Sequence, residues 1–183
     1  MVMEIGIGDR RGFTIVELLI VIVVIAVLAS VSVSAFSGVQ QRTRDARRVS
    51  DMQAIVKALE MYKTQTGSYP AASTTNTITG WEVSSKNPNQ FLSALKTANV
   101  VQNVPVDPIN TEQTITRGFL YKYYRYDAGT NGCPLSRGAY YILAVGDAET
   151  AAGTDQLPES PGFQCASRNW SGEGGWVTGN FTN

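Results

Sequence analysis

From Phe13 to Phe36 the chain places a single charged residue, Glu17, in a run otherwise made of apolar and small residues. No other feature constrains the fold as strongly. In helical form the run extends about 36 Å, against a bilayer hydrocarbon core of about 30 Å. It is rich in Ile and Val, so a buried strand must be weighed, but strands rarely exceed about ten residues. The reading is a membrane helix over residues 13–38. A secretory signal peptide would use Arg10-Arg11 as its basic region and Ser32-Val33-Ser34 as its cleavage site; the length of the run and the internal glutamate oppose it. A plain single-span anchor explains the length but not a carboxylate in lipid. Lys and Arg on the two sides of the run leave its orientation open.

The helical pattern continues past the run. Val49, Met52, Ile55, Val56, Leu59 and Tyr62 recur at spacings of three and four, giving one apolar stripe on a polar helix. Arg42, Arg44, Arg47, Arg48 and Lys57 fall off that stripe or flank it. Thr66-Gly67-Ser68-Tyr69-Pro70 is a stop signal, because glycine suits a left-handed cap and proline cannot continue a helix. The spacing therefore predicts a stem helix over 39–66. Between the two segments, Ser30, Ser32, Ser34, Ser37 and Gly38 either pack closely against neighbouring helices or let the helix melt; both readings stand.

Residues 67–183 read as a globular domain. Ala71–Gly80 has loop composition, Gln90–Val101 suggests a short helix, and Val104–Asn110 is turn-rich. Phe119–Tyr126 and Ala139–Val145 are aromatic and β-branched strand candidates joined as a hairpin with a long link, and one or two further strands fit the Gly-rich C-terminal stretch. The expected class is α+β, a long N-terminal helix packed on a small antiparallel sheet.

Composition narrows the function. Fifteen basic residues balance fifteen acidic ones, so no global field points to nucleic acid. The chain has no histidine, which removes Ser-His and Cys-His catalysis and His-ligated zinc. No paired-carboxylate or nucleophile motif is present, so the chain reads as a non-enzyme needing no cofactor. Cys133 and Cys165 are either a disulfide, which requires an oxidising compartment, or two buried thiols.

Arg10-Arg11-Gly12-Phe13-Thr14, with Glu17 following and the apolar run after it, closely resembles the class III signal of type IV pilins and pseudopilins. "GSYP" at the stem's end and "VPVDP" before an aromatic strand are similar to the same proteins. The resemblance implies a pilin fold and a division into a cleaved leader (1–12), a membrane and assembly helix (13–38), a stem (39–66) and a globular domain (67–183). It implies cleavage by a prepilin peptidase between Gly12 and Phe13, N-methylation of Phe13, and assembly in which Glu17 neutralises the Phe13 amine of a neighbouring subunit. The precursor would lie in the inner (cytoplasmic) membrane with its N-terminus in the cytoplasm, and the product would be an extracellular filament.

The function implied is that of a structural subunit of a type IV pilus, with a pseudopilin of a type II secretion or competence system, or a minor pilin, as the alternative. Partners would be further copies in a helical homopolymer, the peptidase, and the assembly platform with its motor ATPase. Nucleic acid would enter only through the finished filament's function. Ser34 stands where many type IVa pilins carry a helix-breaking proline. Asp107, beside Pro105 and Pro108, lies in a region like that near a calcium site of major pseudopilins, with Asp127 and Asp147 as further candidates. One carboxylate does not make a site for an ion that takes six to eight oxygens, and a turn is the competing role for Asp107.

Overall fold

The computed structural model describes residues 13–112, 114, 118–151 and 157–183, with the side chains of residues 31–35 left outside. The chain falls into two units, one ending at Gln40 and the other covering Gln41–Asn183. Helix α1, Ile15–Thr66, contributes to both. It ends where the sequence predicts: Gly67 takes φ 82 and its N–H donates to the Lys63 carbonyl at 2.8 Å, a left-handed closure that a side chain would strain.

In the second unit a five-stranded antiparallel sheet runs in the order β1-β2-β5-β6-β9. Its strands are β1 (Thr77–Ile78), β2 (Trp81–Val83), β5 (Tyr121–Tyr126), β6 (Tyr140–Val145) and β9 (Trp176–Phe181). The remaining elements are short: α2 (Ser93–Thr97) and the two-residue pairs β3 (Thr111–Glu112) with β4 (Gly118–Phe119) and β7 (Gln164–Cys165) with β8 (Arg168–Asn169). The β5–β6 hairpin expected from the aromatic runs is present, with Tyr123 opposite Leu143. β9 pairs with β6 along its whole length. The architecture is α+β, a long N-terminal helix packed on an antiparallel sheet.

Strand alternation sorts the side chains onto two faces. Tyr121, Tyr123, Tyr141, Leu143, Val145 and Trp176 face α1, where Met52, Ile55, Ala58 and Leu59 are buried against them. Tyr69, the third residue past the helix end, is buried edge-on to Tyr141 at 4.6 Å and donates its hydroxyl to Glu60 at 2.7 Å. The opposite face carries Tyr140, Ile142, Ala144, Val177 and Phe181, which pack with Trp170, Phe163, Cys133 and Cys165. The segment 159–175 and the 127–139 link therefore form a third layer over the sheet, which was expected to have only two layers. Gly179 makes room for it: a Cβ there would stand 2.6 Å from the Phe163 ring. Cys133 and Cys165 are joined as a disulfide closing a separation of 32 residues, and this ties the link to the β7–β8 hairpin.

Two expectations about local structure are corrected. The helix foreseen over 90–101 is only the five-residue α2, because Leu92 (φ 46) and Asn99 (φ 54) take left-handed conformations on either side of it. The loop foreseen over 71–80 yields β1, which turns into β2 through Thr79 and Gly80, both at positive φ. Glu82 of β2 is buried, and its carboxylate accepts hydrogen bonds from the backbone N–H of Ser73 (2.9 Å) and of Leu92 (2.6 Å), fastening both loops to the sheet.

Replacing Cys133 and Cys165 together by Ser removes a closed loop of this length from the unfolded ensemble's constraints. The expected loss is at most about 3–4 kcal/mol. Guanidinium unfolding followed by tryptophan fluorescence measures it, with Trp170 of the third layer as the reporting residue.

Candidate functional site

Helix α1 starts in a reciprocal cap. Thr14, just before its first residue, donates its backbone N–H and its hydroxyl to Glu17 Oε2, each at 2.8 Å, while the Glu17 N–H donates to Thr14 Oγ1 at 3.2 Å. This is the T-x-x-E capping box, which satisfies backbone donors that a helix start leaves open. The signal was present in the sequence, but Glu17 was considered there only as a buried charge in need of a partner. Phe13 is 84% exposed beside the cap.

Beyond the cap, Ile15, Val16, Leu18, Leu19 and the large apolar residues through Leu28 are all more than half exposed, on every side of the helix. A helix apolar all round requires lipid or other helices about it. Among the described residues no helix is long and apolar enough to cross a membrane. Residues 31–35, whose side chains lie outside the description, fall within the run read as membrane-spanning. Gly12 and the rest of the leader 1–12 lie outside the described residues as well.

Farther along α1, in the second unit, the buried stripe does not stop at Met52. It continues toward the N-terminus through Arg48 and Asp45, at the same spacings of four and three, and both residues are buried. The sequence places Arg48 off the apolar stripe or flanking it; its spacing of four from Met52 is the signal that it lies inside. Arg48 is 0% exposed. Its guanidinium donates in fork geometry to Asp107, Nε to Oδ2 at 2.7 Å and Nη2 to Oδ1 at 3.0 Å. Nη1 donates to Asp45 Oδ1 at 2.6 Å and to Glu149 Oε1 at 2.8 Å. Arg44 closes the cluster with a two-pronged contact to Glu149, at 2.7 and 2.5 Å. The Phe119 ring lies 5.0 Å from the Arg48 guanidinium carbon.

Backbone donors supply the remaining bonds. Asp45 accepts from the N–H groups of Glu149 (3.1 Å) and Thr150 (2.7 Å) and from the Thr150 hydroxyl (2.6 Å). Asp107 accepts from the N–H groups of Ile109 (2.9 Å) and Asn110 (3.2 Å). The cluster thus fastens the 104–110 turn and the 147–150 loop to the stem. Burial alone would raise the Asp45 carboxyl, but hydrogen bonds from Thr150, Glu149 and Arg48 outweigh it and hold the group below its ordinary range. The Arg44 contact holds Glu149 low in the same way, against the effect of burial. Nearby Asp51 moves upward, because desolvation exceeds what the Tyr121 hydroxyl at 2.8 Å returns.

This geometry shows what occupies the carboxylate that the sequence offered as a weak calcium candidate. Both carboxylate oxygens of Asp107 are engaged by Arg48, and Oδ1 also takes two backbone donors, so the residue serves as an ion-pair partner and turn former. Asp147 accepts from the Gly118 N–H at 2.8 Å, and Asp127 is exposed on the β5–β6 link. Among the described residues no group of three metal-ligating side chains is assembled.

Residues 8–33 match the family described as the prokaryotic N-terminal methylation motif. Over a longer stretch the chain is similar to proteins named type II secretion system core protein G. That of Klebsiella pneumoniae is 30% identical over 128 residues, 69% of this chain and 89% of the relative. That of Escherichia coli strain K12 is 29% identical over 137 residues, 75% of this chain and 81% of the relative. That of Pectobacterium carotovorum is 30% identical and covers 79% of the relative. No solved structure matches the chain significantly.

The arginine cluster sets the acid stability of the domain. Asp45 and Glu149 have folded-state values below their unfolded ones, so their contribution is present above about pH 4 and is lost as pH falls through the folded values. Urea unfolding at pH 7, 4 and 3 should show that loss. Arg48→Met leaves buried carboxylates without their cation, and should cost about 3–5 kcal/mol at pH 7 while flattening the acid dependence.

Proposed function

The chain belongs to the family of type II secretion system core protein G, and we propose that it is the pilin-like structural subunit of a type II secretion pseudopilus. The observation that carries this reading is the reach of the similarity: it covers 89% of the Klebsiella pneumoniae relative and so includes the globular half. The N-terminal methylation motif is shared by pilins and pseudopilins, and by itself suits the type IV pilus subunit first expected equally well.

In this reading the leader 1–12 is removed by a prepilin peptidase between Gly12 and Phe13, and the Phe13 amine so created is N-methylated. The precursor waits in the cytoplasmic membrane with its apolar segment in lipid and its disulfide-closed domain on the oxidising side. On assembly the apolar surface of α1 passes from lipid to neighbouring helices of the same chain. No catalytic role is proposed, since the family's role is structural.

Glu17 has two roles that follow each other. In the single chain it caps its own helix through Thr14. In the filament its carboxylate also faces the ammonium at Phe13 of an adjacent subunit. An unpaired charge among packed apolar helices is costly, so registers that leave the amine and the carboxylate apart are disfavoured.

Glu17→Gln separates the roles, because the amide oxygen still accepts from Thr14 while the charge is gone. Processed subunits should accumulate in the membrane and fail to polymerise, as read by cross-linking; normal polymer would remove the charge pairing. The assignment as a whole is tested by deleting the gene in the source organism. Loss of exoprotein secretion with surface pili unchanged is expected, and the reverse pattern would restore the pilus reading. N-terminal sequencing should find methylated Phe13 first in the mature chain.

A further inference from the structure

A cavity of about 440 Å³ opens where the chain leaves the stem and meets the end of the sheet. Ser73, Thr74, Thr77, Tyr124, Arg125 and Asp127 contribute to its lining. This size is in the range that holds a small ligand. No residue of the capped helix start or of the Arg48 cluster is among its lining residues.

The chemistry of its lining is specific. Arg125 is its one cation, and the Arg125 Nε is buried with no hydrogen-bond partner among the described residues. A buried donor left unmet is costly, and a ligand could meet it only once the side chain moves; what Arg125 offers the cavity as it stands is its charge. One side is aromatic: the half-buried Tyr124 ring stands 4.4 Å from Tyr126 and 5.6 Å from Trp81, centroid to centroid, so the neighbouring rings hold it in place. Gly80 lies flush against that ring, where a Cβ would already stand 3.4 Å from it. Three hydroxyl-bearing side chains and the exposed Asp127 carboxylate complete the lining.

These groups select among ligands. Arg125 calls for an anionic oxygen pair, which a guanidinium meets in fork geometry. Asp127, two residues away, makes the lining neutral in sum and repels multiply charged anions, which argues against nucleic acid and phosphate esters. It also accepts hydrogen bonds from ligand hydroxyls. A flat ring edge beside hydroxyls suits a molecule with one C–H face and one polar rim. We propose that this cavity binds an acidic sugar unit, a pyranose bearing a carboxylate, with the carboxylate on Arg125, the ring face on Tyr124 and a hydroxyl on Asp127.

The test is calorimetric titration of the full chain in non-ionic detergent with trigalacturonate. Maltotriose, triglutamate and inorganic phosphate serve as comparison probes. Saturable binding of trigalacturonate is expected, and Arg125→Gln should weaken it about ten- to a hundredfold, the range for losing a charge-assisted hydrogen bond. Asp127→Asn, an exposed change, should weaken it severalfold while improving phosphate binding, and circular dichroism should report an unchanged fold for both variants. Equal binding of maltotriose would overturn the role of the carboxylate. Equal or tighter binding of triglutamate would make this a site for acidic peptides instead. No saturable binding of trigalacturonate, or binding unaffected by Arg125→Gln, would overturn the proposal entirely.

Discussion

A guanidinium wholly removed from water has to be answered at each of its nitrogens, and Arg48 meets that demand with three carboxylates drawn from three parts of the chain. Asp45 comes from the same helix, Asp107 from the turn after α2, and Glu149 from the loop after β6. Each carboxylate is in turn oriented by backbone donors of its own or a neighbouring segment, except Glu149, which Arg44 holds instead. Meeting all of these bonds at once leaves little freedom in where the turn and the loop lie on the stem. Apolar packing farther along the helix is less selective, since it is non-directional. The ion cluster thus supplies geometric selection at one end of the stem's buried stripe, while Met52, Ile55 and Leu59 supply the bulk of its burial.

The sheet's second face raises a different problem. A sheet packed on one side by a single helix would leave Tyr140, Ile142, Val177 and Phe181 in water. Covering them falls to segments with little regular structure, 127–139 and 159–175, whose ordering carries a large entropic cost. Aromatic contacts offset part of it: Phe163 stacks on Tyr140 at 5.4 Å and Trp170 lies against Tyr126 at 5.4 Å. The Cys133–Cys165 bond offsets more by restricting the same segments before they fold. Disulfide and aromatic layer are therefore one device, and the domain's stability is coupled to an oxidising compartment.

At the N-terminus Glu17 completes its own helix cap, taking both the N–H and the hydroxyl of Thr14, and so has hydrogen bonds even where water is scarce. In the proposed assembly the same group is the counter-charge for the amine of a neighbouring copy. The apolar surface around it is exposed on all sides in the single chain, a surface that suits lipid or other helices.

The helix, its stop at Gly67 and the central hairpin were legible because each rests on local pattern: periodicity, a capping glycine, or alternation. The short helix α2 was overestimated since two left-handed residues, Leu92 and Asn99, override propensity there. The β1–β2 hairpin was missed because its turn is Thr-Gly rather than a stronger turn pair. Arg48 reads as lying off the apolar stripe or flanking it, although the period of Met52, Ile55 and Leu59 places it inside. Which three carboxylates it would meet was not written locally at all, since two of them lie 59 and 101 residues away along the chain. By itself the sequence determined the long helix, its stop at Gly67 and the central hairpin, because those depend on neighbours along the chain. Only the tertiary structure decided that Asp107 pairs with Arg48 and that the sheet is covered on both faces, because burial and partner choice arise from segments that meet only when folded.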